Sequence, residues 1–594
     1  MTAILHKLWS LVGQRDRRQL LLLLIPMLLV AMLEMASISL IVPVAQVLLG
    51  EPGKLSALAP ESLRHLITPA SVLGAFIAFF LVKNAALLSL THLVNAVIHQ
   101  QMARFLSNLF DAYMSRPLQF HQQTNSAIVL RNLVSGSGVT FDCIRLIMMM
   151  ALETLLMLTA IGIITVAAPS VTLTMAGILG VVGLVYYRLS GPIFRRWGER
   201  TMNEEGRLIQ WINQALATVR EIKLLGLHNF VSVNVADTAS RRALYLGRSA
   251  TGDQVPRLLI ETVMVILFVI LLSSLVATST DAGEALTLLG LFGMAGLRIM
   301  PSMNRLLQNT GMVKQRSAYI DTLSADLAAA KVDSDLPPPD AGTEPFEFID
   351  RIEFENVGFS YGGADRAAVS GLNLTIRRGA SIGIVGASGA GKTTLIDLLL
   401  GLLPADAGTI RIDGKPLSAC RHAWQRGIGY VPQSAALIDD SLARNIAFGV
   451  PDEEIDGDRL DRAIDLAQLR GVVDEQPDGL STFLGEQGAR LSGGQRQRIA
   501  IARALYRDPQ VLVFDEATSA LDNRTEADIA RAIRSIAGEK TVIIIAHRLT
   551  TVKACDRILF MEDGRLLDQG SFDELVARNA AFRDLTQTLA SEPA

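Results

Sequence analysis

The sequence predicts a membrane protein in two units: an all-α domain of six transmembrane helices with long cytoplasmic helical extensions, followed by an α/β domain. Three observations carry that prediction. Six apolar stretches, each long enough to cross a bilayer, fall before residue 330; the apolar pattern stops at a Pro-rich stretch near residue 340; and strands alternate with helical patterns from there on.

At 594 residues the chain exceeds one typical domain, and about 150 residues per domain gives a soft prior of roughly three or four units. Half of the residues are hydrophobic, 19% are charged, and the mean hydropathy is +0.34. That is too apolar for an ordinary soluble enzyme and excludes a disordered chain. Charge divides unevenly. Residues 1–330 hold 26 Lys+Arg against 18 Asp+Glu, a balance of +8, whereas the rest hold 29 against 40, a balance of −11. With a pI near 6.3 and no basic stripe, nucleic acid is not an expected partner. Cys143, Cys420 and Cys555 lie far apart, with no CxxC spacing and no adjacent His cluster. They read as small core residues and not as a disulfide framework or zinc site.

The six spans lie at about 20–49, 71–97, 139–168, 171–189, 254–278 and 285–312, within a transmembrane domain of residues 1–330. Each reaches the roughly 20 residues that a helix needs to cross a ~30 Å hydrocarbon core. Arg15, Arg17 and Arg18 before a Leu run also fit a signal peptide, but the run is long, lacks an A-x-A-like end and is followed by five more spans. The segment 190–253 carries nine Lys and Arg, Arg195 to Arg248, while the short links near Pro169 and Asp281 carry none. The positive-inside rule therefore puts both termini and the two long loops in the cytoplasm. Those loops are polar and helix-permissive, so the flanking spans are expected to continue as long helices beyond the bilayer. Glu34, Lys83, Glu153, Glu261 and Arg298 fall in or near the spans. An unpaired charge in lipid costs at least a few kcal/mol, so such groups face a cavity or a partner. Arg298, three residues before Pro301, is the expected cavity residue; Lys83 and Glu153 fit pairing with a neighbouring helix as well as substrate contact.

Leu336 to Pro345 contains four prolines and no apolar period, which marks residues 331–350 as a linker. In the domain that follows, residues 351–594, Ser381 to Val385, Val511 to Phe514 and Thr541 to Ile545 read as strands of a largely parallel sheet. Between the first of these and a helix sits Gly386-Ala387-Ser388-Gly389-Ala390-Gly391-Lys392-Thr393, which fits GxxxxGK[ST] at every position. The glycines let backbone N–H groups, those of Ser388 and Ala390 among them, wrap phosphate oxygens. Lys392 reaches the terminal phosphates, Thr393 offers a hydroxyl to Mg²⁺, and the helix opening through Thr394 adds its positive end. Farther on, an apolar strand delivers Asp515 and Glu516 to the end of the sheet. There Asp515 can hold Mg²⁺ through water and Glu516 can polarise the water that attacks the γ-phosphate. An acidic pair after a strand is by itself a common helix N-cap arrangement; the phosphate loop is what changes the reading.

Leu491-Ser492-Gly493-Gly494-Gln495, before a basic helix, resembles the signature motif of ATP-binding cassette (ABC) proteins. Serine and two glycines at a helix start also make an anion site. The resemblance implies an α/β P-loop ATPase domain that binds ATP and Mg²⁺, and it assigns further roles. Tyr361, in Phe359-Ser360-Tyr361, resembles the aromatic residue that stacks on adenine, and Gln433, in Tyr430-Val431-Pro432-Gln433, the glutamine that senses Mg²⁺ and the attacking water. Gly485-Glu486-Gln487-Gly488 resembles the short loop that exporters place against the intracellular loops. Ser519-Ala520-Leu521-Asp522 matches the D-loop, and His547 the switch histidine that contacts the γ-phosphate. In this family each nucleotide is sandwiched between the phosphate loop of one cassette and the signature of another. One cassette per chain thus implies a dimer; a homodimer with two active sites is sufficient, and a heterodimer with a similar partner stays open.

Six spans followed by one cassette resemble the half-transporter architecture of ABC exporters, over nearly the whole chain. That implies an ATP hydrolase coupled to transmembrane transport by alternating access, in a bacterial inner membrane with the ATPase domain cytoplasmic. Residues 116–126 and 219–230 are the expected coupling tips. Asn125-Ser126, Val219 to Gly226 and Arg298 to Arg305 look like the branch that flips lipid-linked oligosaccharides. This branch implies an amphipathic, lipid-linked substrate and contact with membrane lipids; a multidrug, peptide or toxin exporter is the alternative. The spans and the lack of a basic surface disfavour soluble cassette proteins that act on DNA or ribosomes.

Overall fold

The structure, a computed structural model, describes residues 1–40, 44, 68–167, 169–277, 282–333, 347–362, 366–516, 531, 538–545, 552–553 and 555–591. It divides into two compact units, one of residues 1–116 and 120–335 and the other of residues 117–119 and 336–594. Parts of the first expected span after residue 40, the link at Asp281 and the Pro-rich stretch lie outside the described residues.

The first unit is helical: α1 (Thr2–Leu11), α2 (Gln14–Leu22), α3 (Leu24–Ser39), α4 (Pro69–Met114), α5 (Leu118–Gln123), α6 (Ser126–Arg131), α7 (Ser137–Ala167), α8 (Pro169–Ala217), α9 (Val219–Leu224), α10 (His228–Gly252), α11 (Val255–Ala277) and α12 (Ala282–Asp333). Local chemistry starts these helices where it should. Thr68 and Ser71 close a capping box ahead of α4, with Pro69 in its first turn, and the Asn125 side chain caps α6. Among the described residues, Gln14–Ser37, Ala70–Met114, Ser126–Gly162 and Thr172–Ala217 are long and apolar enough to cross a membrane. Leu81, Leu88, Leu158 and Leu173 are exposed along them, as a lipid-facing surface requires. Beyond the apolar stretches α4 continues to Met114 and α8 to Ala217, so much of the polar sequence between spans is unbroken helix.

Two of the membrane-embedded charges have partners. Lys83 pairs with Glu34 at 2.9 Å and lies 4.6 Å over the Phe80 ring; Glu153, buried, accepts from Ser302 Oγ at 2.8 Å and pairs with Arg305 at 2.5 Å. Pairing removes most of the cost of placing these groups in lipid. The Arg298 side chain lies outside the described residues. Where α6 meets α7 the chain widens into a π turn, Asn132–Gly136. Polar side chains knot helices together there: Asn132 Nδ2 donates to Tyr113 Oη and Asp326 Oδ2, both at 3.0 Å, while Ser135 and Tyr319 donate to Glu205 at 2.7 and 2.6 Å.

The second unit has two sheets. One is antiparallel, in the order β2-β1-β4-β5, from β1 (Arg351–Phe359), β2 (Val369–Arg377), β4 (Ala407–Ile412) and β5 (Lys415–Pro416). The other runs β10-β9-β3-β8-β7-β6, from β3 (Ser381–Val385), β6 (Ile428–Val431), β7 (Val511–Asp515), β8 (Thr541–Ile545), β9 (Arg557–Glu562) and β10 (Arg565–Gly570). It is parallel except for β10. Helices α13 (Lys392–Leu399), α14 (Leu417–Arg426), α15 (Leu442–Ile446), α16 (Gly457–Leu466), α17 (Arg470–Asp474), α18 (Gly493–Tyr506), α19 (Phe572–Arg578) and α20 (Ala580–Ser591) accompany the sheets. Strands β7 and β8 are buried along their whole length, which is why they read as continuous apolar runs. Strand β8 joins β3 through Ile384 and Ile545, and β7 through Asp515 and Ile545. That register brings the loop after β3 and the acidic end of β7 to the same edge.

Candidate nucleotide site

The loop after β3 is shaped by backbone crowding. A Cβ at Gly386 would stand 2.2 Å from the Met561 carbonyl oxygen, and one at Gly391, where φ is +91°, would stand 2.4 Å from that of Ala368. Only glycine fits either position. Lys392 then opens α13 with its ammonium folded back onto its own loop, donating to the Gly386 and Ala387 carbonyls at 2.8 and 3.0 Å. Burial pulls its pKa below the ordinary lysine value, opposed by the nearby Glu516 and Asp515 carboxylates. Thr393 is exposed, with its hydroxyl open to a ligand, whereas Thr394 is buried and lies 3.4 Å from Tyr361 Oη. Tyr361 itself packs edge-on to Phe359 and is half-buried.

At the end of β7, Asp515 is buried and accepts from Tyr430 Oη at 3.2 Å. Burial first, and the Asp515 charge next, raise the Tyr430 hydroxyl pKa, so it stays a donor. Glu516 follows with a left-handed backbone, φ +51°, pinned by its N–H to the Ile545 carbonyl at 3.2 Å. For a residue with a Cβ that conformation costs about 1–3 kcal/mol and is typical of sites where side-chain direction matters. The Glu516 carboxylate accepts from Gln433 Nε2 at 2.6 Å. Thr393, Asp515 and Gln433 carry a hydroxyl, a carboxylate and an amide carbonyl, each an oxygen donor of the kind Mg²⁺ takes.

The signature segment starts α18. Ser492 Oγ accepts from Gln495 N at 3.2 Å and Gln495 Oε1 accepts from Ser492 N at 2.8 Å, a capping box that leaves the Ser492 O–H free to donate and the N–H groups of Gly493 and Gly494 at the helix mouth. On the same helix Gln497 Nε2 donates to the Pro432 carbonyl at 3.0 Å, which ties the signature helix to the segment carrying Gln433. The Gly485–Gly488 loop holds Gly485, Gln487 and Gly488 at positive φ and exposes Glu486 and Gln487. Asp522 and His547 lie outside the described residues.

Two participants have a role that no motif assigns. Tyr430 is visible in the sequence only as part of a motif, and its hydrogen bond to Asp515 depends on β6 pairing with β7. Asp397, on the buried face of α13, has its carboxyl pKa pushed up to about 6 by burial, with the Asp515 charge adding to it. Its signal is a lone acid in the apolar run 395–399, one turn after Thr393.

Comparison with known proteins gives the site its family. Residues 369–519 match the family described as ABC transporter. An ATP-dependent lipid A-core flippase of Polaromonas sp. is 32% identical over 550 residues, covering 89% of this chain and 86% of that protein. One of Ralstonia nicotianae is 29% identical over 530 residues, covering 87% and 86%. A β-(1→2)glucan export ATP-binding/permease protein of Rhizobium johnstonii is 29% identical over 521 residues, covering 86% and 84%. The fold matches that of a bacterial Atm1-family ABC exporter solved with ATP bound, with a TM-score of 0.74 at 24% identity, over 98% of this chain and 99% of that one. With a phosphate loop, a buried aspartate and a glutamine-held glutamate in one α/β unit after an apolar helical unit, the chain belongs to the ABC transporter family as an integral membrane exporter that binds ATP and couples its hydrolysis to transport.

Proposed function

We propose that the chain works as a homodimer in a bacterial inner membrane, with both termini and the ATPase domain in the cytoplasm. It uses ATP to move an amphipathic, lipid-linked substrate, a glycolipid or lipid-linked oligosaccharide, between leaflets. Residues 1–330 form the membrane domain, 331–350 the linker and 351–594 the ATPase domain. The observation that carries this reading is the 2.6 Å hydrogen bond from Gln433 to Glu516, beside buried Lys392 and Asp515. It aims a carboxylate where a general base for water attack is needed.

In that role Lys392 exchanges the Gly386 and Ala387 carbonyls for the terminal phosphates of ATP, and the loop N–H groups from Gly386 to Thr394 hold the rest. Tyr361 stacks on adenine. Thr393, Asp515 and Gln433 would hold Mg²⁺, which when bound draws charge off the phosphates. Glu516 takes the proton of the attacking water, and Ser492, Gly493, Gly494 and Gln495 of the second copy close over the nucleotide, with Asp522 and His547 completing the site. The relatives named for lipid A-core flipping and glucan export support such a substrate.

Purified protein in liposomes tests the reading. ATPase stimulation by a polyprenyl-linked glycan, and none by hydrophobic drugs, is the expected result; the reverse makes the protein a drug exporter. Glu516→Gln is expected to keep ATP binding and to lose at least about 100-fold in turnover, together with substrate movement. Sustained transport by that variant would mean that hydrolysis does not drive the pump.

A further inference from the structure

A cavity of about 300 Å³ lies between α4 and α7, lined by Asn95, Ile98, His99, Met102, Phe141, Asp142 and Arg145, with Gly138 at its edge. Its charged lining is unusual for a cleft at the end of an apolar stretch. Asp142, the one carboxylate lining it, accepts from Arg145 Nε at 2.7 Å and is also paired with Arg316 from α12. Arg316 also lies close to the Asp253 carboxylate, outside the cavity lining, so within the lining itself Arg145 and Asp142 are the two charged groups. Arg145 brings five N–H donors and its side chain is 39% exposed, which leaves donors for a ligand. Asn95 and His99 make no hydrogen bond or ion pair among the described residues.

Depth adds to the argument. The apolar stretch 71–97 ends at this cavity and the stretch 139–168 begins at it. By the loop charges, that end faces the cytoplasm. The cavity therefore lies at headgroup level of the cytoplasmic leaflet, with Ile98, Met102 and Phe141 as its apolar walls. A guanidinium fork matches phosphate oxygens in geometry as well as in charge.

We propose that this cavity receives the phosphorylated headgroup of the lipid substrate from the cytoplasmic leaflet, with Arg145 as its main contact and Asn95 and His99 as further hydrogen-bonding groups. The inference rests on the lipid-linked reading above and names the place where that substrate is first held.

The test is binding of undecaprenyl phosphate to full-length protein in phosphatidylcholine nanodiscs without ATP. Arg145→Gln is expected to weaken binding about tenfold and Arg145→Lys less, because a lone ammonium lacks the fork. Arg195→Gln, on α8 and away from the cavity, is expected to change neither binding nor basal ATPase activity. If Arg145→Gln does not fold, His99→Leu decides, with about a threefold loss expected. Unchanged binding in these cavity variants overturns the cavity assignment and leaves the lipid-linked reading standing. No binding by the unsubstituted protein, with ATPase stimulated only by drugs, overturns the lipid-linked reading itself. Displacement of the lipid by an equal concentration of inorganic phosphate would make the cavity a free-anion site and overturn its assignment to a headgroup.

Discussion

Gly391 shows how little freedom the nucleotide loop has. Its φ is +91°, and the Ala368 carbonyl oxygen lies 2.4 Å from where a Cβ would stand, so no methyl group can be added without moving the loop. Gly391→Ala is expected to weaken ATP binding by ~2–4 kcal/mol, read by equilibrium titration with a fluorescent nucleotide analogue. Asp397 gives a pH signature. Its folded pKa of about 6 lies above the ordinary carboxylate value, so its favourable contribution is present in full below about pH 4 and is lost as pH rises through about 6. In nucleotide-free, chelator-treated protein, Asp397→Asn is expected to stabilise the ATPase unit at about pH 7.5 by ~1–3 kcal/mol and to flatten its stability between about pH 4 and 7. A calorimetric scan at several pH values checks this; an unaltered pH dependence contradicts it. The contrast with Lys392 and Glu516 shows what a sequence discloses. Those two are legible because the chemistry demands a given residue type at a given offset from a loop. Asp397 and Tyr430 act through neighbours that meet only when β6 pairs with β7 and α13 packs on the sheet.

Helix pairing sets the next level. Lys83 and Glu34 come from α4 and α3, Lys83 buried and Glu34 partly so. Lys83→Met removes the cation facing Glu34 and is expected to cost ~1–3 kcal/mol, while Lys83→Met with Glu34→Met should recover most of it. Melting points in a fixed detergent give the comparison; a double variant no better than the single one would show that the pair does more than satisfy itself. At the start of α18, Gln495→Ala removes half of the capping box and should cost ~1 kcal/mol, measured as faster hydrogen exchange in the first turn of that helix. Apolar length marks candidate spans, since a bilayer imposes a minimum on it, and four helices among the described residues meet that minimum. It cannot announce the π turn at Asn132–Gly136, which depends on Tyr113, Glu205 and Asp326 from distant parts of the chain.

The whole molecule needs two copies if the phosphate loop of one meets the signature of the other. Lys392→Ala and Ser492→Arg chains should each be inactive alone. Mixed in equal amounts, half of the dimers would be mixed and each would regain one of its two sites, so about a quarter of wild-type ATPase activity should return. No recovery, with mixed dimers shown to form, would place both halves of the site on one chain. The unbroken helices have a mechanical meaning as well. A 49-residue helix such as α8 is about 74 Å long, more than twice the thickness of the hydrocarbon core. Pivoted at one end, it turns a tilt of about 5° into a sweep of about 6 Å at the other, with Pro192 the place where it would yield first. Such a helix is a lever arm, and its length sets how small an angular change in the bilayer can be and still be felt at its far tip.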